Sequence, residues 1–108
     1  MTIELDPPLS SYFEARNAHD AAGTARLFTP DGRVHDERND HRGHQAIERW
    51  AEQTSAQYQM IQTPKSVRED GDATLVTAQV TGDFPGSPID LSFRFVLEGE
   101  HIRELKIG

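Results

Sequence analysis

The chain contains no cysteine, so disulfides, thiolate metal sites and a cysteine nucleophile are all excluded. No apolar run approaches the ~20 residues that span a bilayer. The opening stretch MTIELDPPLS lacks the basic and apolar segments of a signal peptide. Aromatic residues are sparse, at 7%, with a single tryptophan, Trp50. Positive charge is scarce too: 11 Lys and Arg against 18 Asp and Glu leave a formal charge of −7. No basic stripe is present to neutralise phosphates, which speaks against nucleic acid or an anionic membrane surface as partner. A Gly-rich phosphate loop, a nucleotide fingerprint and a Ser–His–Asp order signal are all missing. These absences leave a cytoplasmic, membrane-free domain as the expectation.

Apolar residues make up 35% of the chain and charged residues 27%. Their clear periodicity predicts a folded core rather than disorder. At 108 residues, one domain spanning 1–108 is expected. Pro7 and Pro8 suit a helix start, where a missing N–H costs nothing. The helix they open, running to about Ala18, carries Leu9, Tyr12, Phe13 and Arg16 at i, i+3, i+4 and i+7. Asp20 can cap a second short helix, AAGTARLF, that presents Leu27 and Phe28 inward. Thr29 to Gly32 reads as a turn, Arg33 to Glu37 as a short strand, and Arg38 to Arg42 as a hairpin tip or mobile loop. A third helix over 44–56 follows Gly43 and turns Ala46, Ile47, Trp50, Ala51 and Thr54 inward.

Beyond Gln57 the apolar period changes to two. Tyr58–Glu69, Ala73–Phe84, Ile89–Glu98 and Ile102–Ile107 read as four antiparallel strands joined by turn-forming residues. Alternation puts Val76, Ala78, Val80 and Phe84 on one face of their strand, and Ile89, Leu91, Phe93, Phe95 and Leu97 on one face of the next. Those faces must pack against the helices. The opposite face, rich in Thr, Ser and Gln, suits either solvent or a second subunit. Helices first and a strand meander after predict an α+β fold.

Two residues stand out chemically. Asp36 alternates with Val34, so if Val34 faces the helices Asp36 does as well, at the strand end where the core opens. Desolvation of an unpaired carboxylate there makes it a usable general base near neutral pH; a helix cap or a salt bridge to Arg33, Arg38 or Arg42 is the structural alternative. Tyr12 sits on the inner helix face, where its phenol can donate to a developing oxyanion or can simply be a core residue with a polar tip. Phe28, Val34, Trp50, Tyr58, Phe84, Leu91, Phe93 and Phe95 are the candidates for an apolar cavity wall of the kind a flat hydrophobic ligand needs. Among the histidines, His19 suits the end of the first helix, His35 should point away from the cavity, His41 and His44 could edge its mouth, and His101 falls at a turn. A His35, His41 and His44 set matches no familiar metal-ligand spacing, so neither metal nor cofactor is expected.

Three segments, Tyr12-Phe13-x-Ala15-x-Asn17-x-x-Asp20, Leu27-Phe28-x-x-Asp31-x-x-Val34-x-Asp36 and Gly43-x-x-Ala46-Ile47-x-x-Trp50, together resemble the nuclear transport factor 2-like superfamily. That group includes the ketosteroid isomerases and the SnoaL-like polyketide cyclases. The resemblance covers roughly residues 8–108 and implies a cone-shaped, cystatin-like α+β fold, with three N-terminal helices packed on a curved antiparallel sheet. It is similar enough to ketosteroid isomerase to imply Asp36 as general base and Tyr12 as oxyanion donor. The second donor of that family, an Asp two residues before an aromatic-Arg-aromatic segment, is replaced here by Leu91 ahead of Phe93-Arg94-Phe95. Asp90 is adjacent but faces the other way unless the strand bulges.

The resemblance therefore implies a cofactor-free isomerase or cyclase. It would abstract a proton α to the carbonyl of a small apolar ligand in a homodimer joined through the outer sheet face. Leu91 in place of the donor keeps open a non-catalytic ligand-binding domain, or a dimerisation domain, of the same fold.

Overall fold

The computed structural model describes residues 3–108. α1 (Leu9–Asn17) follows the Pro7-Pro8 pair and buries Leu9, Tyr12, Phe13 and Arg16, the stripe that the spacing predicts. At the start of α2 (Ala21–Arg26), the Asp20 side chain accepts a hydrogen bond from the Gly23 N–H at 2.9 Å. β1 (Phe28–Asp36) and β2 (Asn39–Arg42) form a hairpin that pairs Asp36 with Asn39. Its two turn residues, Glu37 and Arg38, have φ of 51° and 67°. Positive φ at both central positions is the backbone a tight hairpin with right-twisted strands requires. Of the polar run Arg38 to Arg42, only Arg38 lies in the tip; Asn39–Arg42 form the strand β2, which corrects the expectation of a tip or mobile loop.

Gly43, at φ 87°, turns the chain into α3 (His44–Tyr58), which buries Ile47, Trp50, Ala51 and Thr54. The remaining strands are β3 (Ile61–Asp70), β4 (Ala73–Thr81), β5 (Ile89–Glu98) and β6 (His101–Ile107). The three helices lie on one six-stranded sheet of order β2-β1-β6-β5-β4-β3.

The sheet corrects the all-antiparallel expectation: β1 and β6 run parallel, with Val34 beside Leu105. Alternation along a strand fixes its faces but not its neighbour, and β1 pairs with the last strand of the chain. The turn expected at Thr29 to Gly32 lies inside β1, where the β1–β6 register shifts between Phe28 and Arg33. A side chain at Gly32 would meet Phe28 Cβ at 2.9 Å and the Thr29 carbonyl at 3.1 Å, so only glycine fits this irregular stretch.

Tyr12 occupies the centre of the core. Its ring meets Phe13, Phe95, Phe93 and Phe28 at centroid distances of 5.2, 5.4, 6.4 and 6.5 Å, mostly edge to face. Such pairs contribute about 0.5–1.5 kcal/mol each beyond their buried area. Val34, Val76, Ala78, Val80 and Leu105 complete the apolar sheet face. Cross-strand pairing of Val76 with Phe93 and of Ala78 with Leu91 joins the two faces that alternation assigned to the helix side. On the other face, Arg33 pairs with Glu104 and His35 with Asp40. No helix among the described residues is long and apolar enough to cross a membrane.

Candidate functional site

Where the helices diverge from the sheet, a cavity of about 420 Å³ opens beside the end of β1. Arg16 of α1 and Trp50, Thr54 and Tyr58 of α3 line one side, and Val80, Leu91, Phe93 and Ile107 of the sheet line the other. Asp36 stands at its edge, on the same side of β1 as the buried Val34.

The indole of Trp50 is the hub of this site. Its Nε1–H donates to Asp36 Oδ2 at 3.0 Å. The guanidinium carbon of Arg16 lies 4.7 Å from the centroid of the same indole, and the His41 ring is 6.0 Å away. One tryptophan therefore positions a carboxylate at its edge and a cation over its face. Asp36 forms no ion pair with Lys, Arg or His among the described residues. Its one hydrogen bond there is to Trp50, which leaves Oδ1 free to accept a proton.

Arg16 is buried, at 3% exposure. Its Nη1 donates to the Ala51 carbonyl at 3.1 Å and to Ser55 Oγ at 3.3 Å, and its Nη2 donates to Thr54 Oγ1 at 2.8 Å. All three acceptors belong to α3 and all are neutral, so the side chain ties α1 to α3 without a counterion. Among the described residues its Nε has no hydrogen-bond partner, and neither do two further buried polar atoms, the Tyr12 hydroxyl and Gln62 Oε1. Gln62 also lines the cavity, with its backbone held by Asn17 at 2.7 and 2.8 Å. Burial pushes the Tyr12 phenol up to about 12; the Arg16 cation opposes the shift and the Asp36 charge adds to it.

At the rim, the Tyr58 hydroxyl donates to Glu37 at 3.3 Å. Desolvation first, and then the Glu37 charge, raise the Tyr58 phenol above its ordinary value.

Of the residues singled out in the sequence, Asp36, Trp50, Tyr58, Leu91 and Phe93 meet at the cavity. Phe84 packs edge-on against Tyr58 at 5.9 Å and lines an adjoining hollow of about 320 Å³ that shares Met60, Val80 and Leu91. Phe28, Val34, Phe95 and Tyr12 are fully buried behind the wall and are not part of its lining. Asp90 pairs across the sheet with Gln79, is exposed, and sits 3.9 Å from Lys65 rather than in the cavity.

The histidines are dispersed. His35 Nδ1 lies 2.8 Å from Asp40, and His44 Nε2 lies 2.7 Å from the Phe28 carbonyl. His41 is on Trp50. Among the described residues no group of three or more His, Asp or Glu is arranged to hold a metal ion.

The spacing of α1 puts Arg16 on its apolar stripe without naming a role for it; a charge at a core position of an amphipathic helix is the signal that marks it. Gln62 gave none, because one amide in a polar-looking strand is unremarkable until its burial is known.

Residues 9–104 match the SnoaL-like domain family, and the chain belongs to it. A candidate polyketide cyclase from Sinorhizobium meliloti is 35% identical, with a TM-score of 0.88 over 93% of this chain and 92% of that one. A Catenulispora acidiphila protein with a ketosteroid isomerase-like fold, solved with trimethylamine, is 20% identical, with a TM-score of 0.82 over 95% and 86% of the two chains. An NTF2-like protein from Cytophaga hutchinsonii, 12% identical, has a TM-score of 0.75 over 98% and 93%. No curated protein matches the sequence. The α+β architecture of three helices on a curved six-stranded sheet is thus that of the cystatin-like, nuclear transport factor 2-like superfamily.

Proposed function

We propose that this cavity binds a small, largely apolar carbonyl compound and that Asp36 removes a proton α to the carbonyl, giving an isomerisation or an aldol-type cyclisation without a cofactor. The observation that carries this proposal is the state of Asp36: a carboxylate at the cavity edge, oriented by the Trp50 N–H at 3.0 Å and unpaired with any described cation. A base needs that combination of fixed direction and free oxygen. Apolar walls from Val80, Leu91, Phe93 and Ile107 exclude water around the reacting carbon. The candidate polyketide cyclase at 35% identity is in keeping with carbonyl chemistry.

Tyr12 stays protonated through neutral pH because burial pushes its phenol up to about 12, but it stands behind the cavity wall and is not assigned to the enolate oxygen. Proton transfer by a positioned base contributes about 10²–10⁴-fold. The test is deuterium incorporation into the α-positions of a panel of aryl and alkyl ketones in D2O. Acceleration by the wild type and its loss in Asp36→Asn is the expected result; equal acceleration by both proteins would overturn the assignment.

A second reading, ligand binding without turnover, is favoured by one observation. Leu91 lines the cavity in place of a second oxyanion donor, and the Tyr12 hydroxyl lies behind the wall. Saturable binding with no exchange in the wild type would select it. We further propose that the chain pairs with a second copy through the outer sheet face, as the resemblance implies.

A further inference from the structure

Arg16 is a permanent cation in the interior, since a guanidinium does not lose its proton in proteins. Burying an unpaired charge is costly, and such groups normally find an opposite charge or shed their own. Arg16 does neither among the described residues. Its three hydrogen bonds end on a carbonyl and two hydroxyls, Nε is unpartnered, and no carboxylate lies within ion-pair distance. Asp36 is held at the edge of the same indole and makes no ion pair with it.

The cation borders the cavity, and so does Gln62, itself 4% exposed, whose Oε1 is also unpartnered. Because the two ends of an amide exchange by a simple flip, Gln62 can present its NH2 to an acceptor bound beside Arg16. The cavity lining also holds the carboxylates Asp36 and Glu37, but Glu37 is engaged with Tyr58 and neither forms an ion pair with Arg16.

We infer that the ligand of this cavity is an organic anion, a monocarboxylate with an apolar body, whose carboxylate is held by Arg16 and Gln62 while the body lies against Leu91, Phe93 and Ile107. This deepens the proposal that the cavity is a small-molecule site, and it does not depend on Asp36 acting as a base. A hydrogen-bonded charge pair in a desolvated site is stronger than a neutral one, and an arginine over an aromatic face is a rigid platform for it. The deep cation also orients the ligand: with the carboxylate at Arg16, the chain of the ligand runs along the indole toward Asp36.

The test uses octanoate and octanamide, matched in size and differing in charge, with Trp50 fluorescence and calorimetry as readouts. Trp50 is the sole tryptophan and touches both Arg16 and Asp36, so it reports directly on this site. Octanoate is expected to bind about tenfold or more tighter than octanamide, a difference of one buried charge contact. Arg16→Met should remove the preference, and Arg16→Lys should retain part of it. Should Arg16→Met fail to fold, Gln62→Leu, which leaves the cation in place, is expected to reduce octanoate binding while keeping its lead over octanamide.

Equal affinity for the two probes, no saturable binding of either, or an octanoate preference that survives in Arg16→Met would overturn the inference. Octanoate binding at Arg16 without ketone exchange would remove the catalytic proposal and leave this one standing. Asp36-dependent exchange with no preference for carboxylates would do the reverse.

Discussion

The indole N–H of Trp50 reaches Asp36 at 3.0 Å while the face of the same ring carries the Arg16 guanidinium at 4.7 Å. A single side chain thus sets the distance between the Asp36 carboxylate and the buried Arg16 cation. It also separates what the indole does through its N–H from what it does as an aromatic surface.

Trp50→Phe keeps a ring beneath Arg16 and removes the donor to Asp36. Losing a hydrogen bond to a charged acceptor at a partly buried site is expected to cost about 1–3 kcal/mol, read from denaturant unfolding. Because the carboxylate is then free to rotate, α-proton exchange should fall about 10- to 100-fold. Loss of stability with full exchange activity would mean that the Asp36 orientation is irrelevant to the chemistry.

Arg16 separates packing from charge. Arg16→Ala leaves a hole between α1 and α3 and should lose about 2–4 kcal/mol. Arg16→Met fills much of that space with an apolar chain and removes an uncompensated buried charge, so its unfolding free energy should stay within about 1 kcal/mol of wild type or exceed it. Chemical denaturation of the pair decides. A Met variant as unstable as the Ala variant would make Arg16 a structural strut whose hydrogen bonds to α3 outweigh the buried charge.

Tyr12 predicts an alkaline transition with a definite sign. Its phenol has an ordinary value of 10.0 and is raised to about 12 in the folded chain. The folded state therefore holds this proton where the unfolded state has lost it. The stability linked to the group is complete below pH 10 and disappears as pH climbs through 12, an effect of about 3 kcal/mol for a two-unit shift. Tyr12→Phe should flatten stability against pH over that window and remove one of the two tyrosinate signals at 295 nm. An unchanged alkaline profile in Tyr12→Phe would assign the transition elsewhere, with Tyr58 as the alternative group.

Much of this architecture was legible in the residues. The Tyr12–Asp20, Leu27–Asp36 and Gly43–Trp50 segments marked the fold, and alternation identified the inward side of Asp36 and the apolar faces of β4 and mid-β5; at the ends of β5 it fails, since Ile89 and Leu97 are exposed and Val96, beside a register shift, is buried. What escaped has physical causes. The parallel β1–β6 pairing joins strands from opposite ends of the chain, and a strand's own pattern does not name its neighbour. Thr29 to Gly32 has turn chemistry, yet the sheet absorbs it as an irregularity in β1.

Depth was the other limit. Tyr12 and Leu9 have the same helical phase as Arg16, but only the packing of Phe13, Phe28, Phe93 and Phe95 around the phenol shows that Tyr12 is sealed off, whereas Arg16 borders the cavity. Periodicity gives the direction of a side chain, not how far from the cavity it stops. The Trp50–Asp36 hydrogen bond lay within view as two inward residues on adjoining elements, yet their closeness emerged only with the path of α3 across β1.

The role of Asp36 is tested most directly with 4-oxo-4-phenylbutanoate, which joins a carboxylate, an apolar ring and exchangeable protons next to a ketone. Deuterium uptake at its α-carbon is followed by NMR in D2O for the wild type and Asp36→Asn, with the single Trp50 indole resonance reporting occupancy in both samples. The expected result is exchange above buffer by the wild type and a loss of about 100-fold or more in Asp36→Asn at equal occupancy. Exchange that persists in Asp36→Asn, or a wild type that binds the compound and exchanges nothing, would contradict the assignment of Asp36 as a base.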